Sequence, residues 1–322
     1  MKTFTGKKIL AGLFLCAAGF LAAQQAERVT VYGLKGPSGI ALIRLFENPP
    51  RAAGFELKAE ALAQADLMAA KFISGEAKIG ILPPNVAAKI ASSGKGIQVA
   101  AVTGGGMLSL LSADPSVRRF EDLKGKSVEV AGQGATPDYV FRKILLSRGI
   151  NPDRDVSLGY SLAYPEIAQS LIAGRVNIAL LPEPFATMAR AGNGRLITVG
   201  NIQDEWAKLH PGASADYPMT VLVLDRDFAA ARPALIRAVL DAVKDSVEWV
   251  TGHPAEAGQL VEKHELGLKA QVAGAAIPHS NYVFIPAPQA RQSLEALFRA
   301  FLDFAPASIG GALPGDGFYY RY

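Results

Sequence analysis

Side-chain groupings that could carry catalysis are scarce in this sequence. No two of the four histidines have the spacing of metal ligands. The chain contains neither a Gly-x-Ser-x-Gly nucleophile turn nor a phosphate-binding loop that ends in Gly-Lys-Ser or Gly-Lys-Thr. Its single cysteine, Cys16, lies in an apolar N-terminal run, so the rest of the chain has no disulfide and no thiol chemistry. The sequence therefore predicts no catalytic residue, no metal site and no cofactor.

Two glycine-rich loops fit ligand binding better than catalysis. They span residues 33–39 and 132–138, and each lies between a predicted strand and a predicted helix. Glycines let the backbone approach a ligand closely, and free N–H groups at a helix start favour a carboxylate, a sulfonate or another acceptor. In the second loop, Thr136 is placed as the helix N-cap, with Pro137 at the first helical position. A plain capped turn is the alternative.

Four further side chains lie in or beside these loops or at predicted strand ends. Lys35 offers a counter-charge or a donor, and Asn85 and Glu183 offer hydrogen bonds at corresponding strand ends. Tyr164 offers an aromatic wall for a flat ligand. Each has a structural alternative: a solvated lysine, helix capping by the asparagine, dipole pairing by the glutamate, and simple packing of the tyrosine.

An internal repeat indicates how the chain brings these loops together. Val29-Thr-Val-Tyr-Gly33 returns 99 positions later as Val128-Glu-Val-Ala-Gly132, and residues 72–83 return in the same way as 171–182. Each copy predicts strand, turn, helix, strand, helix and strand. That order favours an α/β fold with two lobes, each a mainly parallel sheet flanked by helices, with a cleft and a hinge between them.

The chain termini and the segments outside the repeat complete the predicted organisation. Residues 1–23 combine early lysines with an uncharged apolar run, which indicates a secretory signal peptide; a membrane anchor is the alternative. Lobe I is predicted over 27–105 and 225–322, with a helical C-terminal extension and an aromatic tail that packs on the surface. Lobe II is predicted over 106–224. Apolar residues continue past Cys16, which argues against a lipid anchor there.

The two lobes predict which residues face the ligand. In open parallel sheets, ligands bind beyond the carboxyl ends of the strands. The predicted contacts, with two glycines at the hinge floor, are Lys35, Pro37, Ser38, Asn85, Gly105, Gly106, Gln133, Gly134, Ala135, Thr136, Tyr164 and Glu183. Since Lys35 is the only cation among them, the expected ligand is a small aromatic or heterocyclic molecule with one or two polar ends.

The charge of the chain argues against nucleic acid as a partner. The formal net charge is +4, and three of the lysines belong to the predicted signal peptide, which leaves about +1 (4 − 3) for the rest. No basic stripe follows any predicted element.

Three stretches carry a family resemblance: Ala173-Gly-Arg-Val-Asn-Ile-Ala-Leu-Leu-Pro-Glu-Pro184, Glu121-Asp-Leu-Lys-Gly-Lys126 and Ile277-Pro-His-Ser-Asn281. With the signal peptide, the two lobes and the glycine hinge, the chain resembles a bacterial periplasmic solute-binding protein of an ABC importer. Within that class it is similar to the group that binds aliphatic sulfonates, nitrate, taurine and thiamine precursors.

The resemblance implies a type II binding-protein fold, a periplasmic location and a monomer that closes on a small-molecule ligand. An ABC permease and its ATPase are the implied partners, and no enzymatic activity is implied. The same fold occurs in a thiamine-pyrimidine synthase and in menaquinone-pathway enzymes, so an enzyme of cofactor biosynthesis is one alternative. A sensor subunit that presents ligand to a signalling partner is another. The cysteine-rich element expected of the synthase is absent.

Overall fold

The computed structural model describes residues 27–52 and 54–321, so the predicted signal peptide and Cys16 lie outside the described residues. The strands are β1 Glu27–Leu34, β2 Arg51–Ala52, β3 Phe55–Leu62, β4 Ile79–Leu82, β5 Ile97–Gly104, β6 Leu108–Ser112, β7 Ser127–Val130, β8 Ser157–Gly159, β9 Ile178–Pro182, β10 Ile197–Asn201, β11 Thr220–Asp225 and β12 Tyr282–Pro286. The α-helices are α1 Pro37–Ala41, α2 Ile43–Glu47, α3 Ala65–Ser74, α4 Pro84–Ser92, α5 Thr136–Ser147, α6 Tyr164–Ile172, α7 Phe185–Gly192, α8 Ile202–Leu209, α9 Arg226–Ala231, α10 Pro233–Gly252, α11 Pro254–Lys263, α12 Ala270–Ala276 and α13 Ala287–Phe304. Short 3₁₀ helices lie at Phe120–Leu123, Gly212–Ser214, Ile277–His279, Pro306–Ile309 and Asp316–Phe318.

Two sheets divide the chain into two lobes. The larger sheet has seven strands in the order β12-β5-β11-β4-β1-β3-β2, and the smaller has five in the order β10-β6-β9-β7-β8. Strands β4, β1 and β3 are parallel, and so are β9, β7 and β8. The sequence repeat is therefore confirmed as a repeated strand order, in which β1 matches β7 and β4 matches β9. Among the named strands, parallel pairing is confined to this unit. Strands β6 and β11, each of which directly follows a crossing from the other lobe, run antiparallel to β9 and β4.

The chain returns to the larger lobe before the predicted boundary at residue 224. Strand β11 is hydrogen-bonded between β4 and β5 in the larger sheet, whereas residues 217–224 are expected in lobe II from the sequence. The side chains of residues 221–224 are fully buried, and a run that is apolar on both faces does not indicate which sheet it joins. The first crossing between the sheets is residues 105–107, and the second is residues 210–219, between α8 and β11.

The helical C-terminal part closely follows the sequence pattern. The predicted helical C-terminal extension is found, with α10 and α13 as its longest helices. The apolar stripe of α10 is buried on the larger sheet, among residues such as Val31 and Ile81. The predicted packing of the aromatic tail is also confirmed: Phe318 and Tyr319 are buried, and the Tyr320 N–H donates to the Val99 carbonyl at 2.8 Å. Within residues 27–52 and 54–321, no helix is both long and apolar enough to cross a membrane.

Side chains of the stretch 121–126 form hydrogen bonds that fix the conformation of the loop between β6 and β7. The Asp122 carboxylate accepts from the backbone N–H groups of Arg118 and Arg119, at 2.9 Å and 3.1 Å, and so caps a 3₁₀ helix. Lys126 donates to Asp114 Oδ2 at 2.8 Å, across the loop that follows β6. This motif therefore has a structural role in the smaller lobe.

Acid is expected to weaken this part of the smaller lobe. Hydrogen bonds from Lys126 and then Ser116 hold the pKa of Asp114 well below its usual range, and the Arg118 N–H lowers the pKa of Asp122. Since both folded-state values are depressed, this stabilisation is present above the ordinary carboxyl pKa of about 4 and is lost as the pH falls through the folded values. Urea midpoints should therefore fall below about pH 4, and less steeply in an Asp114→Asn/Asp122→Asn variant. If the urea midpoint fell equally steeply with pH in the parent and in the double variant, these two carboxylates would not be the source of the acid sensitivity.

Candidate functional site

A cleft of about 540 Å³ lies between the two lobes. One wall comes from the segments that follow β1, β3 and β4, and the other from the starts of α5, α6 and α7. These are the loops that the repeat places at matching strand ends. Its volume is within the range of pockets that bind small organic molecules.

Six of the twelve predicted contact residues line this cleft. Three are on the wall of the larger lobe and three on the wall of the smaller lobe: Lys35, Pro37, Ser38, Ala135, Thr136 and Tyr164. The Ser38 hydroxyl accepts from the Leu34 N–H at 2.9 Å and donates to the Leu34 carbonyl, so it is already satisfied within the protein. It fixes the turn from β1 into α1.

The other six predicted contacts are not among the lining residues: Asn85, Gly105, Gly106, Gln133, Gly134 and Glu183. Glu183 is only 2% exposed. One of its carboxylate oxygens accepts from the Thr187 N–H at 2.9 Å, and the other accepts from Arg190 at 2.7 Å. Its carboxylate thus serves the first turn of α7. The two hinge glycines lie in the first crossing, where Gly106 donates to Asp216.

Thr136 has a different local role from the predicted one. Helix α5 begins at Thr136 with Ala135 at the N-cap position, so the predicted N-cap role of Thr136 is wrong. The reason is that Asp138, in the first turn, reaches back and accepts from the Gly134 N–H at 2.9 Å. Thr136 is 2% exposed, and its hydroxyl has no hydrogen-bond partner among the described residues. A buried, unsatisfied hydroxyl costs about 1–3 kcal/mol, which a ligand atom in the cleft would offset.

Asp138 also holds the smaller lobe's wall in place. It is 2% exposed, and its Oδ1 accepts from the Tyr160 hydroxyl at 2.6 Å and from Arg142 Nε at 2.7 Å. Burial and the hydrogen bond to Asp138 raise the pKa of Tyr160, so this phenol stays protonated. The loop 132–138 and the chain after β8 are thus joined through one carboxylate. Nothing in the sequence pattern singled out Asp138, because its partners are four and 22 positions away.

The described residues of the cleft form largely apolar walls with one charged group. Of the described residues that line it, Lys35 is the only lysine, arginine, aspartate or glutamate, and its exposed ammonium has no protein partner there. Tyr164 stacks on Phe185 with ring centroids 5.7 Å apart and planes 23° apart. Burial raises the pKa of Tyr164, so its hydroxyl also stays protonated. Among residues 27–52 and 54–321, no cluster of three or more histidine, cysteine, aspartate or glutamate side chains could hold a metal ion.

Several lining residues are not predicted from the sequence. Leu266, Gly267 and Leu268 reach the cleft from the loop between α11 and α12. Met219 ends the second crossing, and Thr220 is the first residue of β11. These segments lie outside the repeat, so no matching strand end points to them. Phe185 follows the predicted strand end at Glu183 by two residues, but its stacking on Tyr164 depends on how α6 and α7 pack.

Comparisons with known proteins agree with this geometry. The sequence model of the NMT1-like family matches residues 61–263. A solved structure described as an ABC transporter from Parabacteroides distasonis is 26% identical, covers 91% of this chain and 98% of its own, and has a TM-score of 0.78. The periplasmic aliphatic sulphonate binding protein of Escherichia coli is 15% identical, with 92% of each chain covered and a TM-score of 0.70.

A more distant structure has the same fold, and the curated proteins add no relative. The periplasmic nitrate-binding protein of Synechocystis PCC 6803 is 12% identical, covers 88% of this chain and 84% of its own, and has a TM-score of 0.65. No curated protein matches significantly. The match over 61–263 spans more than half of the sequence. The chain belongs to the NMT1-like family, and its fold is that of the two-lobed binding proteins.

Proposed function

We propose that the protein is the extracytoplasmic substrate-binding component of an ABC importer. The observation that carries the proposal is the cleft itself, whose walls are matching loops of two similar lobes. The structure from Parabacteroides distasonis supports it, because 91% of this chain is covered at 26% identity. A ligand that bridges two lobes favours their closed arrangement, which a membrane partner can recognise.

The proposed ligand is a small organic solute with a largely apolar, flat body and one acceptor end. The stacked Tyr164 and Phe185 offer the body an aromatic wall. Lys35 and the unpartnered Thr136 hydroxyl lie on opposite walls and offer donors to the polar end. The described residues of the lining include no carboxylate, so they offer a cationic solute no counter-charge, and a single lysine does not match a polyanion.

The proposed partners are a membrane permease and its ATPase, and the proposed location is the periplasm. The protein acts there as a monomer that binds without turnover. The lining supports binding without turnover, since Lys35 and Tyr164 are the only titratable side chains among its described residues and they form no nucleophile–base pair. Adjacent genes for a permease and an ATPase would favour import, whereas a receptor kinase alone would favour the sensor alternative.

Ligand capture is tested first without assuming an identity. Native mass spectrometry of freshly purified protein should show a bound mass that is lost on unfolding and refolding. A thermal-shift screen of the refolded protein should then compare matched pairs, such as an aryl carboxylate with its amide, and an aryl sulfonate with its alcohol. Stabilisation by the acceptor-bearing member supports the proposed class. Stabilisation by polyols or by amines alone, or conversion of a bound compound, would overturn it.

Cleft variants test the placement of the site. With the best compound from that screen, Thr136→Ala is expected to weaken binding about tenfold, the equivalent of one hydrogen bond. Tyr164→Ala should weaken it by about thirtyfold, because it removes a stacking surface. Thr251→Ala, an exposed threonine on α10, is the matched control and should leave the affinity unchanged. Unchanged Kd values in both cleft variants would place the ligand elsewhere.

A further inference from the structure

The two crossings between the lobes meet at one carboxylate. Asp216, in the second crossing, accepts from the Gly106 N–H of the first crossing at 2.9 Å. Its other oxygen accepts from the Asn281 amide at 3.2 Å, and Asn281 directly precedes β12. The Asn281 carbonyl in turn accepts from the Gly105 N–H at 2.8 Å. The two crossings and the start of an edge strand of the larger sheet therefore form one closed ring of hydrogen bonds.

The backbone of Gly105 lies so close to the Asp216 and Asn281 side chains that only glycine fits there. A Cβ atom on Gly105 would overlap both Asp216 Oδ2 and Asn281 Nδ2. On the far side, Tyr217 is fully buried and lies edge-on to Trp206, with ring centroids 5.6 Å apart. Asp216 is thus enclosed by both crossings and by α8. It lies in the second of the two connections that the described chain makes between the two sheets.

Burial disfavours the charged form of Asp216, and the hydrogen bonds to its carboxylate partly offset that cost. No lysine, arginine or histidine among the described residues pairs with it, and the carboxylate of Asp204 on α8 lies near its neighbour Tyr217. Burial raises the pKa of Asp216, while its hydrogen bonds oppose the rise. Because the folded value is raised, the folded state binds more protons between the ordinary and the raised pKa, and stability falls as the pH rises through that window.

We propose that Asp216 is a positioning residue that couples the two crossings, so that they turn as one hinge and limit how far the lobes separate. A hinge absorbs rotation at a few residues near element ends, and two crossings that share one acceptor cannot rotate independently. The inference depends on the proposed function only in that a solute-binding protein must open and close. The test of the hinge proposal needs no ligand. The hinge proposal can therefore fail while ligand binding is confirmed, and ligand binding can fail while the hinge proposal is confirmed.

The test measures lobe separation directly in the ligand-free protein. Because Cys16 is the only native cysteine, a Cys16→Ser chain accepts spin labels at Leu67→Cys on α3 and Leu146→Cys on α5, which are 51% and 46% exposed. Asp216→Ala and Asn281→Asp each break the ring, the second by placing two carboxylates together. The swap Asp216→Asn/Asn281→Asp restores it, because the new amide donates to the new carboxylate while its oxygen still accepts from Gly106. Asp241→Asn, an exposed acid on α10, is the control.

Double electron–electron resonance should show a broader interlobe distance distribution in Asp216→Ala and in Asn281→Asp. The minor arrangement should gain about fivefold in population, the effect expected from breaking one coupled hydrogen-bond network. The swap should return the distribution to that of the parent, and the control should not change it. Parent-like distributions in both single variants, or a swap as broad as Asn281→Asp, would overturn the proposal. If Asp216→Ala does not fold, the comparison of Asn281→Asp with the swap decides the question.

Discussion

Replacing Gly106 by alanine is expected to lower the free energy of unfolding by about 3 kcal/mol. The new Cβ would overlap Gln203 Oε1 and lie 2.6 Å and 2.7 Å from Cε1 and Cζ of Tyr217. The glutamine side chain can shift, but the tyrosine ring cannot, because it is fully buried and packed edge-on against Trp206. The backbone of the first crossing must therefore move, which also breaks the hydrogen bond to Asp216.

Urea unfolding followed by circular dichroism measures this loss. The matched control is Gly252→Ala, since an added Cβ there meets nothing within 4 Å and Gly252 is the last residue of α10. That control should be neutral or slightly stabilising, because alanine is favoured over glycine in a helix by up to about 1 kcal/mol. Similar midpoints for Gly106→Ala and the parent would show that the crossing is loosely packed.

Replacing Asp138 by alanine is expected to cost about 3 kcal/mol and to release the loop 132–138 from its fixed geometry. The substitution leaves Arg142, whose side chain is 17% exposed, without its buried partner, and leaves the Tyr160 hydroxyl without its acceptor. It also removes the acceptor of the Gly134 N–H. Because Arg142 keeps some contact with solvent, the cost should be at the lower end of the range for broken buried ion pairs.

The same arginine provides the control. Asp153 accepts from Arg142 Nη1 at 2.7 Å, but its side chain is 73% exposed, so Asp153→Ala should cost less than about 1 kcal/mol. Hydrogen exchange at the Gly134 amide should accelerate in Asp138→Ala and stay unchanged in Asp153→Ala. Equal destabilisation by Asp138→Ala and Asp153→Ala would mean that burial does not make the Asp138–Arg142 ion pair the stronger of the two.

The architecture could be predicted from the sequence because the repeat carries its own topology. Strands related by the 99-residue offset have matching neighbours, since the order β4-β1-β3 corresponds to β9-β7-β8. The parallel units and the loops that face each other therefore follow from the two repeated blocks, 29–33 with 128–132 and 72–83 with 171–182. The sheet to which β11 belongs could not be predicted in this way, because β11 lies outside the repeat and is buried on both faces. Its sheet is decided by tertiary pairing with β4 and β5.

The site was predictable as a set of loops, but less so as a set of side chains. Loop position follows from strand ends, whereas the direction of a side chain depends on partners that a single sequence does not reveal. Glu183 illustrates this, because Arg190, two turns along α7, and the Thr187 N–H hold its carboxylate. In Thr136 the predicted cap contact is missing, since Asp138 accepts from the Gly134 N–H and the threonine hydroxyl has no partner among the described residues.

The position of β11 also has a consequence for the order in which the protein assembles. Strands β4 and β5 are consecutive in the chain, yet β11 separates them in the larger sheet. As the polypeptide emerges from its N-terminal end, that sheet has a gap at its centre until residue 225 becomes available. The smaller sheet needs only residues 108–201, all of them contiguous. The smaller sheet, although it follows β1 to β5 in the chain, can therefore form all its strand pairs before the larger sheet does.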